Sequence, residues 1–154
     1  MRIIAMSQQE CRELLKRVSI GRLGCSLDDQ PYVVPDVVPV GFSYEPDYIY
    51  MFSTLGKKIK WMRQNPKVCL QADEIGNRSN WLSVIVTGTY LELREPQYTA
   101  QLEHALEQLE QYSEWWRNPL AQRREQTRDL SIETVFFRID IGSMSGLRTM
   151  PEAE

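Results

Sequence analysis

Apolar and polar residues alternate along much of this chain with the two-residue period of β-strands. Three segments show this most clearly, with apolar side chains at every second position: Leu23, Cys25 and Leu27; Val68, Leu70 and Ala72; Val135, Phe137, Ile139 and Ile141. This spacing places the apolar side chains on one face of an extended strand. Two further segments, Tyr48–Ser53 and Trp81–Arg94, are rich in aromatic and β-branched residues. The pattern predicts about six strands, with Trp81–Arg94 the longest and the last strand at about 133–141.

Segments rich in acidic residues, asparagine and proline separate these strands. Asp28–Pro31 and Glu45–Asp47 have the composition of tight turns, and the polar stretch Glu74–Asn80 is predicted to be a loop. Tyr32–Tyr44 contains many valine and aromatic residues but also two prolines, which cannot donate hydrogen bonds to a neighbouring strand. That stretch therefore requires an edge strand, a bulge or a break.

Helical spacing, with apolar residues three or four positions apart, occurs in three places. Ser7–Glu10 is a capping box, and an apolar stripe follows it at Cys11, Leu14, Leu15 and Val18. A short helix is predicted in the middle of the chain, with Ile59 and Met62 facing inward and Asn65–Pro66 ending it. A late helix is predicted at about 97–128, with an apolar face formed by Leu102, Ala105, Leu106 and Leu109. Strands that follow one another as hairpins favour a mainly β fold with added helices.

The composition is that of one ordinary globular domain, which we expect to span residues 1–154. The chain is 42% hydrophobic and 25% charged, with a net charge of -3. A mildly acidic protein is a poor candidate for binding nucleic acid, because neutralising phosphate charge dominates that affinity. Three well-separated cysteines without a C-x-x-C spacing argue against a disulfide framework or a zinc site. Because no signal-peptide or membrane-helix pattern is present, we expect a cytoplasmic protein.

Residues 53–58, called the 53–58 segment below, form the strongest candidate for a binding site. The segment reads Ser-Thr-Leu-Gly-Lys-Lys and joins a strand to the short middle helix. Hydroxyl groups, the N–H groups at a helix start and two lysines would together attract a phosphate group. The predicted contacts are Ser53, Thr54, Lys57 and Lys58. The alternative is a solvated helix start with surface lysines, and composition alone favours that alternative.

Common catalytic motifs are absent from the sequence. Neither the P-loop pattern nor G-x-G-x-x-G occurs, which argues against an ATPase or a Rossmann oxidoreductase. The single histidine, His104, lies near Glu103 and Glu107, as expected on an exposed helix face, so we expect it to be dispensable. No pair of carboxylates stands out as an acid and a base. This pattern fits a protein whose cofactor supplies the chemistry.

The order of several short motifs resembles that of the pyridoxamine 5'-phosphate oxidase-like flavoproteins, in particular the branch of small proteins grouped with nitroimidazole-resistance proteins. The resemblance covers about residues 7–93, with a weaker match at Phe136–Ile141. The matching motifs are Gly21-Arg22-Leu23-Gly24, Pro31-Tyr32-Val33-Val34-Pro35, Val38-Pro39-Val40-Gly41-Phe42, Ile49-Tyr50, Gly56-Lys57-Lys58, Asn65-Pro66-Lys67-Val68 and Ser83-Val84-Ile85-Val86-x-Gly88.

This resemblance implies a split β-barrel that binds FMN, less often FAD, at a homodimer interface. In that family the stretch matching Val38, Pro39 and Val40 runs beside the isoalloxazine ring. The stretch matching the 53–58 segment holds the phosphate, which agrees with the interpretation from the residues themselves. Ser83 is also implied to contact the cofactor.

Two departures from the family pattern change what can be expected. Pro31–Val40 contains a doubled Val-Val-Pro step, which leaves the ring-contacting residues there open. Pyridoxamine phosphate oxidases carry Arg-x-His near the C-terminus for their substrate, whereas this chain has Arg138-Ile139-Asp140. We therefore expect no oxidation of vitamin B6. The open functions are an FMN-dependent oxidoreductase with a small-molecule substrate or electron donor, a non-catalytic flavin-binding protein for storage or sensing, and a haem or deazaflavin binder.

Overall fold

A computed structural model describes residues 1–35, 41–110 and 134–152 of the chain. These residues form eight strands and three helices in the order β1 (Arg2–Ala5), α1 (Gln8–Arg17), β2 (Gly21–Leu27), β3 (Gln30–Pro35), β4 (Ser43–Glu45), β5 (Tyr48–Thr54), α2 (Lys57–Gln64), β6 (Lys67–Asn77), β7 (Asn80–Glu92), α3 (Thr99–Glu110) and β8 (Thr134–Met150). Val38, Pro39 and Val40 lie outside the described residues, as does the part of the late helix predicted beyond Glu110.

Local sequence signals account for the helix ends. The Ser7 hydroxyl accepts from the N–H of Glu10 at 3.1 Å, and the Glu10 carboxylate accepts from the N–H of Ser7 at 3.1 Å, so the predicted capping box is confirmed. Helix α2 ends before Asn65–Pro66, with Ile59 and Met62 fully buried as predicted. In the part of the chain that the structure describes, no helix has the length and apolar character needed to cross a membrane.

The strands form one antiparallel sheet in the order β3-β2-β6-β7-β8-β5-β4, with β1 paired to β8. The sheet curls so that Phe42, before β4, donates its N–H to the carbonyl of Ser19, before β2, at 2.8 Å. The Phe42 ring also lies against Gly21, the first residue of β2. These contacts bring distant parts of the sheet together as a barrel, and the predicted mainly β fold with added helices is confirmed.

Apolar side chains form two layers, here called the barrel core and the α3 layer. The barrel core fills the inside of the curled sheet and includes Leu14, Ile49, Leu70 and Phe137. The α3 layer lies between helix α3 and strand β5, and its buried members are Tyr50, Phe52, Leu93, Ala105 and Leu109. Strand β5 contributes to both layers because its successive side chains point to opposite faces.

Three predictions about the strands are wrong. The β6–β7 hairpin extends through Glu74–Asn80, predicted to be a loop, because the polar side chains there do not prevent backbone pairing such as that of Ile75 with Trp81. The last strand continues past residue 141 to Met150 and exceeds β7 in length, since β7 pairs with it on one side and β1 on the other. The six predicted strands become eight because β1 is additional and the proline-containing stretch is divided into β3 and β4.

Candidate functional site

The 53–58 segment begins where β5 ends. Ser53 and Thr54 are the last residues of β5, and they pair with Val135 and Thr134 at the start of β8. Both side chains are half-buried, and the Ser53 hydroxyl donates to the carbonyl of Thr54 at 3.1 Å. The pairing with β8 therefore fixes the position of both hydroxyl groups.

Helix α2 begins at Lys57, with Gly56 as its N-cap residue. Gly56 has an extended backbone (φ -165°) that any residue could adopt. A Cβ added there would have as its nearest neighbour the carbonyl oxygen of Thr54, at 3.9 Å. Glycine thus provides open space rather than a special conformation, and it offers no capping side chain to the first N–H groups of α2. Those N–H groups can donate to an anion bound at the helix start.

The two lysines of the segment have different surroundings. The Lys57 Nζ lies 4.8 Å from the centroid of the Tyr32 ring and 4.7 Å from that of Trp61, in a double cation–π contact. Lys58 is half-buried. Burial raises the pKa of the Cys25 thiol, while the positive charges of Lys58 and Lys57 act in the opposite direction. Positive charge from both lysines therefore reaches β2 at this end of the barrel.

Ser83 lies on β7, in a polar cluster on the outward face of the sheet. Its hydroxyl accepts from Gln71 Nε2 at 2.9 Å, and the same amide donates to Asp73 at 3.0 Å. Arg22 completes the cluster by donating to Gln71 at 3.1 Å and to Asp73 at 2.7 Å. The hydroxyl of Ser83 is thus held in place by a hydrogen-bonded network that spans three strands.

The structure brings four of the predicted contact residues together and places another elsewhere. The four residues brought together lie where β5 ends and α2 begins: Ser53, Thr54, Lys57 and Lys58. Thr54 pairs with Thr134 at the start of β8, whereas Ser83 pairs with Leu147 near its other end. Within one chain, Ser83 and the 53–58 segment therefore belong to two separate groups.

Sequence reasoning missed a charged cluster around Glu92, at the end of β7. Arg63 donates to both oxygens of the Glu92 carboxylate, at 2.8 and 3.1 Å, and Arg94 donates to one of them. The Tyr90 hydroxyl donates to the same carboxylate at 2.6 Å. Burial would raise the pKa of Glu92, but these hydrogen bonds outweigh it and lower the pKa to about 2. Because Arg63 and Glu92 lie 29 positions apart, no local motif signals this cluster.

His104 lies on α3 and contacts the β4–β5 hairpin. Its Nε2 lies 2.8 and 3.0 Å from the two carboxylate oxygens of Glu45, and the Tyr50 hydroxyl donates to the same carboxylate. The His104 and Tyr50 rings meet edge to face, with centroids 5.6 Å apart. The His104 side chain is 45% exposed, as predicted for a surface helix face. The contact fastens α3 to the hairpin, a role that its sequence neighbours do not indicate.

Arg138 and Asp140, in the stretch where the oxidases carry Arg-x-His, are paired with each other. Arg138 Nε donates to Asp140 at 2.7 Å, and the guanidinium lies 4.4 Å from the centroid of the Tyr48 ring. A carboxylate therefore balances the charge of this arginine where the oxidases have a histidine.

This antiparallel barrel, with three helices packed on it, defines a split β-barrel protein, the class that the sequence predicts. Residues 7–148 match the family described as pyridoxamine 5'-phosphate oxidase, and the chain belongs to that family.

Similar proteins occur in several bacteria. An uncharacterized protein of Rhizobium meliloti (strain 1021) is 36% identical over 142 residues, which cover 92% of this chain and 91% of that protein. The crystal structure of a FAD-binding protein from Mesorhizobium loti is 37% identical, with a TM-score of 0.74 over 98% of this chain and 99% of that chain. A candidate 5-nitroimidazole antibiotic resistance protein from Bacteroides thetaiotaomicron shares the fold, with 18% identity and a TM-score of 0.65 over 96% of this chain and 89% of that chain.

Proposed function

We propose that this protein binds FMN through the 53–58 segment, with the phosphate at the start of α2. The observation that carries the proposal is the connection between β5 and α2, where two hydroxyl groups, the first N–H groups of a helix and two lysines follow one another. This donor set suits a phosphate, which accepts hydrogen bonds and carries negative charge. Family membership and the FAD-binding relative from Mesorhizobium loti support a flavin, because FAD contains the FMN group.

When bound, a flavin supplies hydride and electron transfer, and the protein supplies binding, orientation and electrostatics. Thr54 would donate a hydrogen bond from its hydroxyl to the phosphate, and Lys58 would neutralise the phosphate charge. The Ser53 hydroxyl would do the same after rotating away from the Thr54 carbonyl, to which it donates in this structure. Lys57, held over two aromatic rings, would add positive charge at longer range. Val38–Val40 are proposed to lie beside the ring, as the family resemblance implies.

We also propose that the flavin lies at the interface of a homodimer. The outward face that carries Ser83 also carries exposed apolar side chains: Ile85 at 44%, Leu147 at 50% and Ile3 at 54% exposure. A second copy of the chain related by two-fold symmetry would cover this face. It could also bring its own Ser83 to the flavin held by the first copy. Light scattering of the flavin-loaded protein that gave only an 18.0 kDa species would contradict the dimer.

The proposed reaction is electron transfer from a nicotinamide donor, through the flavin, to a small molecule other than vitamin B6. The pairing of Arg138 with Asp140 supports the exclusion of vitamin B6. Stopped-flow mixing of the flavin-loaded protein with NADH or NADPH tests the reaction. Rapid bleaching of the flavin supports an oxidoreductase, whereas an unreduced flavin supports storage or sensing.

Replacing Lys58 with alanine tests the phosphate position. A charge-assisted hydrogen bond contributes about 1.5–3 kcal/mol, so Lys58→Ala should weaken FMN binding by roughly 10- to 150-fold. Riboflavin has the same ring without the phosphate, and its affinity should change little. Both affinities can be measured by titrating the protein, freed of copurified ligand, and following flavin fluorescence.

Lys60→Ala is the matched control, because Lys60 is an exposed lysine of the same helix beyond the 53–58 segment. The control should bind both ligands as the parent does. Equal loss of FMN and riboflavin in Lys58→Ala would show damage to the ring pocket or to the fold. If neither ligand bound the parent protein, the proposed function would be wrong.

A further inference from the structure

A cavity of about 580 Å³ lies on the outward face of the sheet, at the turn end of the β6–β7 hairpin. It is called the hairpin cavity below, and its lining includes Asp73, Ile75, Arg78, Trp81, Leu82 and Ser83. Its volume falls within the range of about 300–1,000 Å³ that is typical of sites for small molecules. Ser83 also belongs to the polar cluster on this face, so the cavity continues the surface that carries that cluster.

An irregularity in the pairing of β6 with β7 shapes this cavity. Ile75 pairs with Trp81, whereas the next pair is formed by Asn77 and Asn80. Gly76 is therefore an extra residue on β6, and the strand bulges there. A Cβ at position 76 would lie 3.1 Å from the Nδ2 of Asn80, a tight contact that glycine avoids. Bulges redirect side chains and are frequent beside binding sites, and this one sets the direction in which the hairpin turn leaves the sheet.

The middle of the hairpin cavity is apolar. Ile75 and Trp81 are cross-strand partners there, and Ile75 is 66% exposed. The Thr149 hydroxyl of β8 accepts from the backbone N–H of Trp81 at 3.0 Å, which fixes this part of β7. The half-buried Trp81 and the exposed Ile75 together offer an apolar surface on which an aromatic ring can stack.

The two ends of the cavity differ in charge. At the end away from the turn, the Asp73 carboxylate accepts from Arg22 at 2.7 Å and from Gln71 at 3.0 Å, so its negative charge is balanced. At the turn end, Arg78 is exposed, and its guanidinium is open to a ligand that enters from solvent. Because Asp73, Arg22 and Arg78 together carry a net positive charge, the cavity favours an anion over a cation.

We propose that the hairpin cavity is the substrate site and that it binds a flat aromatic carboxylate. The ring of the ligand stacks on Trp81, and its carboxylate accepts hydrogen bonds from Arg78, whose planar guanidinium matches a carboxylate. The inference rests on the proposed function, because Ser83 is the lining residue that a second copy of the chain would bring to the flavin. A ligand in the cavity of one copy then lies beside the flavin that the other copy holds.

The test measures the binding of 2-naphthoate and of its uncharged analogue 2-naphthamide to the FMN-loaded protein by isothermal titration. The parent should bind 2-naphthoate roughly tenfold more tightly than 2-naphthamide. Arg78→Gln should weaken the binding of 2-naphthoate by roughly tenfold, the lower end of the range for a hydrogen bond to a charged group, because Arg78 is exposed. The binding of 2-naphthamide should change by less than about twofold.

Two further measurements test the stacking and the position of the ligand. Trp81→Leu keeps an apolar side chain but removes the aromatic ring, so it should weaken the binding of both probes by about two- to tenfold. Bound 2-naphthoate should also shift the absorbance band of the bound FMN, because the ligand lies beside the flavin. Binding of 2-naphthoate without any change in the flavin spectrum would show that the cavity is not the substrate site.

Arg2→Gln is the matched control, because Arg2 is an exposed arginine of β1 outside the cavity lining and its loss changes the net charge equally. This variant should bind both probes as the parent does. Equal weakening of both probes in Arg78→Gln would overturn the inference. So would failure of both probes to bind the FMN-loaded parent, the result expected if a second copy of the chain fills the cavity. Those results leave the proposed function intact, whereas failure of the parent to bind FMN overturns the proposed function together with the inference.

Discussion

Strand β5 contributes to two apolar layers, the barrel core and the α3 layer, and the two are held together differently. Inside the barrel, Ile49 and Met51 are surrounded by apolar side chains from strands on several sides. In the α3 layer, Tyr50 and Phe52 meet one helix, and hydrogen-bonded charges flank that contact: Glu45 with His104, and Glu92 with its arginines. The barrel core is thus enclosed by packing on several sides, and we expect the α3 layer to rely more on the polar pairs at its edges.

The largest expected loss of stability comes from replacing one of two adjacent phenylalanines of β8. One of them belongs to the barrel core and the other packs against the α3 layer. Phe137 is fully buried in the barrel core, with its ring centroid 5.0 Å from that of Tyr90, whereas Phe136 is half-buried against the α3 layer. Phe137→Ala should lower the free energy of unfolding by about 3–5 kcal/mol, because it leaves a cavity in a closed core. Phe136→Ala should lower the free energy of unfolding by less, because water and small movements of α3 can fill the space that the ring leaves. Urea unfolding measures both, and an equal or larger cost for Phe136→Ala would contradict the comparison.

The next largest expected loss of stability comes from replacing Glu92, and its size depends on pH. The pKa of Glu92 is lowered from its ordinary value of 4.5 to about 2 in the folded protein, so the folded state favours the ionised form. The stabilisation is present above about pH 4.5 and is lost as the pH falls towards 2. At neutral pH it amounts to roughly 3 kcal/mol, since one pKa unit corresponds to about 1.4 kcal/mol. Glu92→Gln should therefore be less stable than the parent at pH 7, by an amount that shrinks on acidification.

The control for this prediction is Glu74→Gln, which removes an exposed partner of Arg17. Its hydrogen bond with Arg17 also lowers the pKa of Glu74, but water screens a pair so far exposed. Unfolding measured between pH 3 and pH 7 should show a much smaller difference for Glu74→Gln than for Glu92→Gln. Matching pH profiles for the two variants would mean that burial of Glu92 does not strengthen its interactions.

The smallest expected loss of stability comes from replacing His104. Removing its hydrogen bond with Glu45 should lower the free energy of unfolding by about 0.5–1 kcal/mol, the lower part of the range for a hydrogen bond. His104→Gln should raise amide hydrogen exchange in α3 by a few-fold while exchange in β7 stays unchanged. Reduction of bound flavin by a nicotinamide donor should change by less than about tenfold, equivalent to ~1.4 kcal/mol. A larger loss would mean that this histidine takes part in the reaction.

The elements that the sequence predicted correctly are those with a strong local pattern. The capping box at Ser7 and the alternation around Phe137 depend on residues only a few positions apart. Strand β1 and the extension of β8 carry no such pattern, because their stability comes from pairing between residues at opposite ends of the chain, such as Arg2 with Met150. The need for glycine at position 146 was equally hidden in the sequence. A Cβ there would lie 2.7 Å from the sulfur of Met6, a residue far away along the chain.

The candidate site divides in the same way. The 53–58 segment could be proposed as a site from the sequence alone because its potential donors are nearly consecutive in the chain. The charged cluster around Glu92 could not, because Arg63 comes from α2 and Glu92 from β7, two elements that only the fold brings together. Its charges also look like ordinary surface residues in the sequence, and the pairing of both arginines with Glu92 is visible only in the fold.

Strand β8 has a consequence for the order in which the protein can be assembled on the ribosome. It pairs with β7, β5 and β1, and without it the sheet separates into the group β3-β2-β6-β7, the β4–β5 hairpin and an isolated β1. A nascent chain that has not yet reached residues 134–150 lacks the strand that joins these pieces by backbone pairing, and such distant pairings form slowly. The 53–58 segment is translated early, but β5, the strand that it ends, has only β4 as a pairing partner in the described sheet until β8 arrives. If this segment holds the flavin as proposed, we expect flavin capture to follow synthesis of nearly the whole barrel.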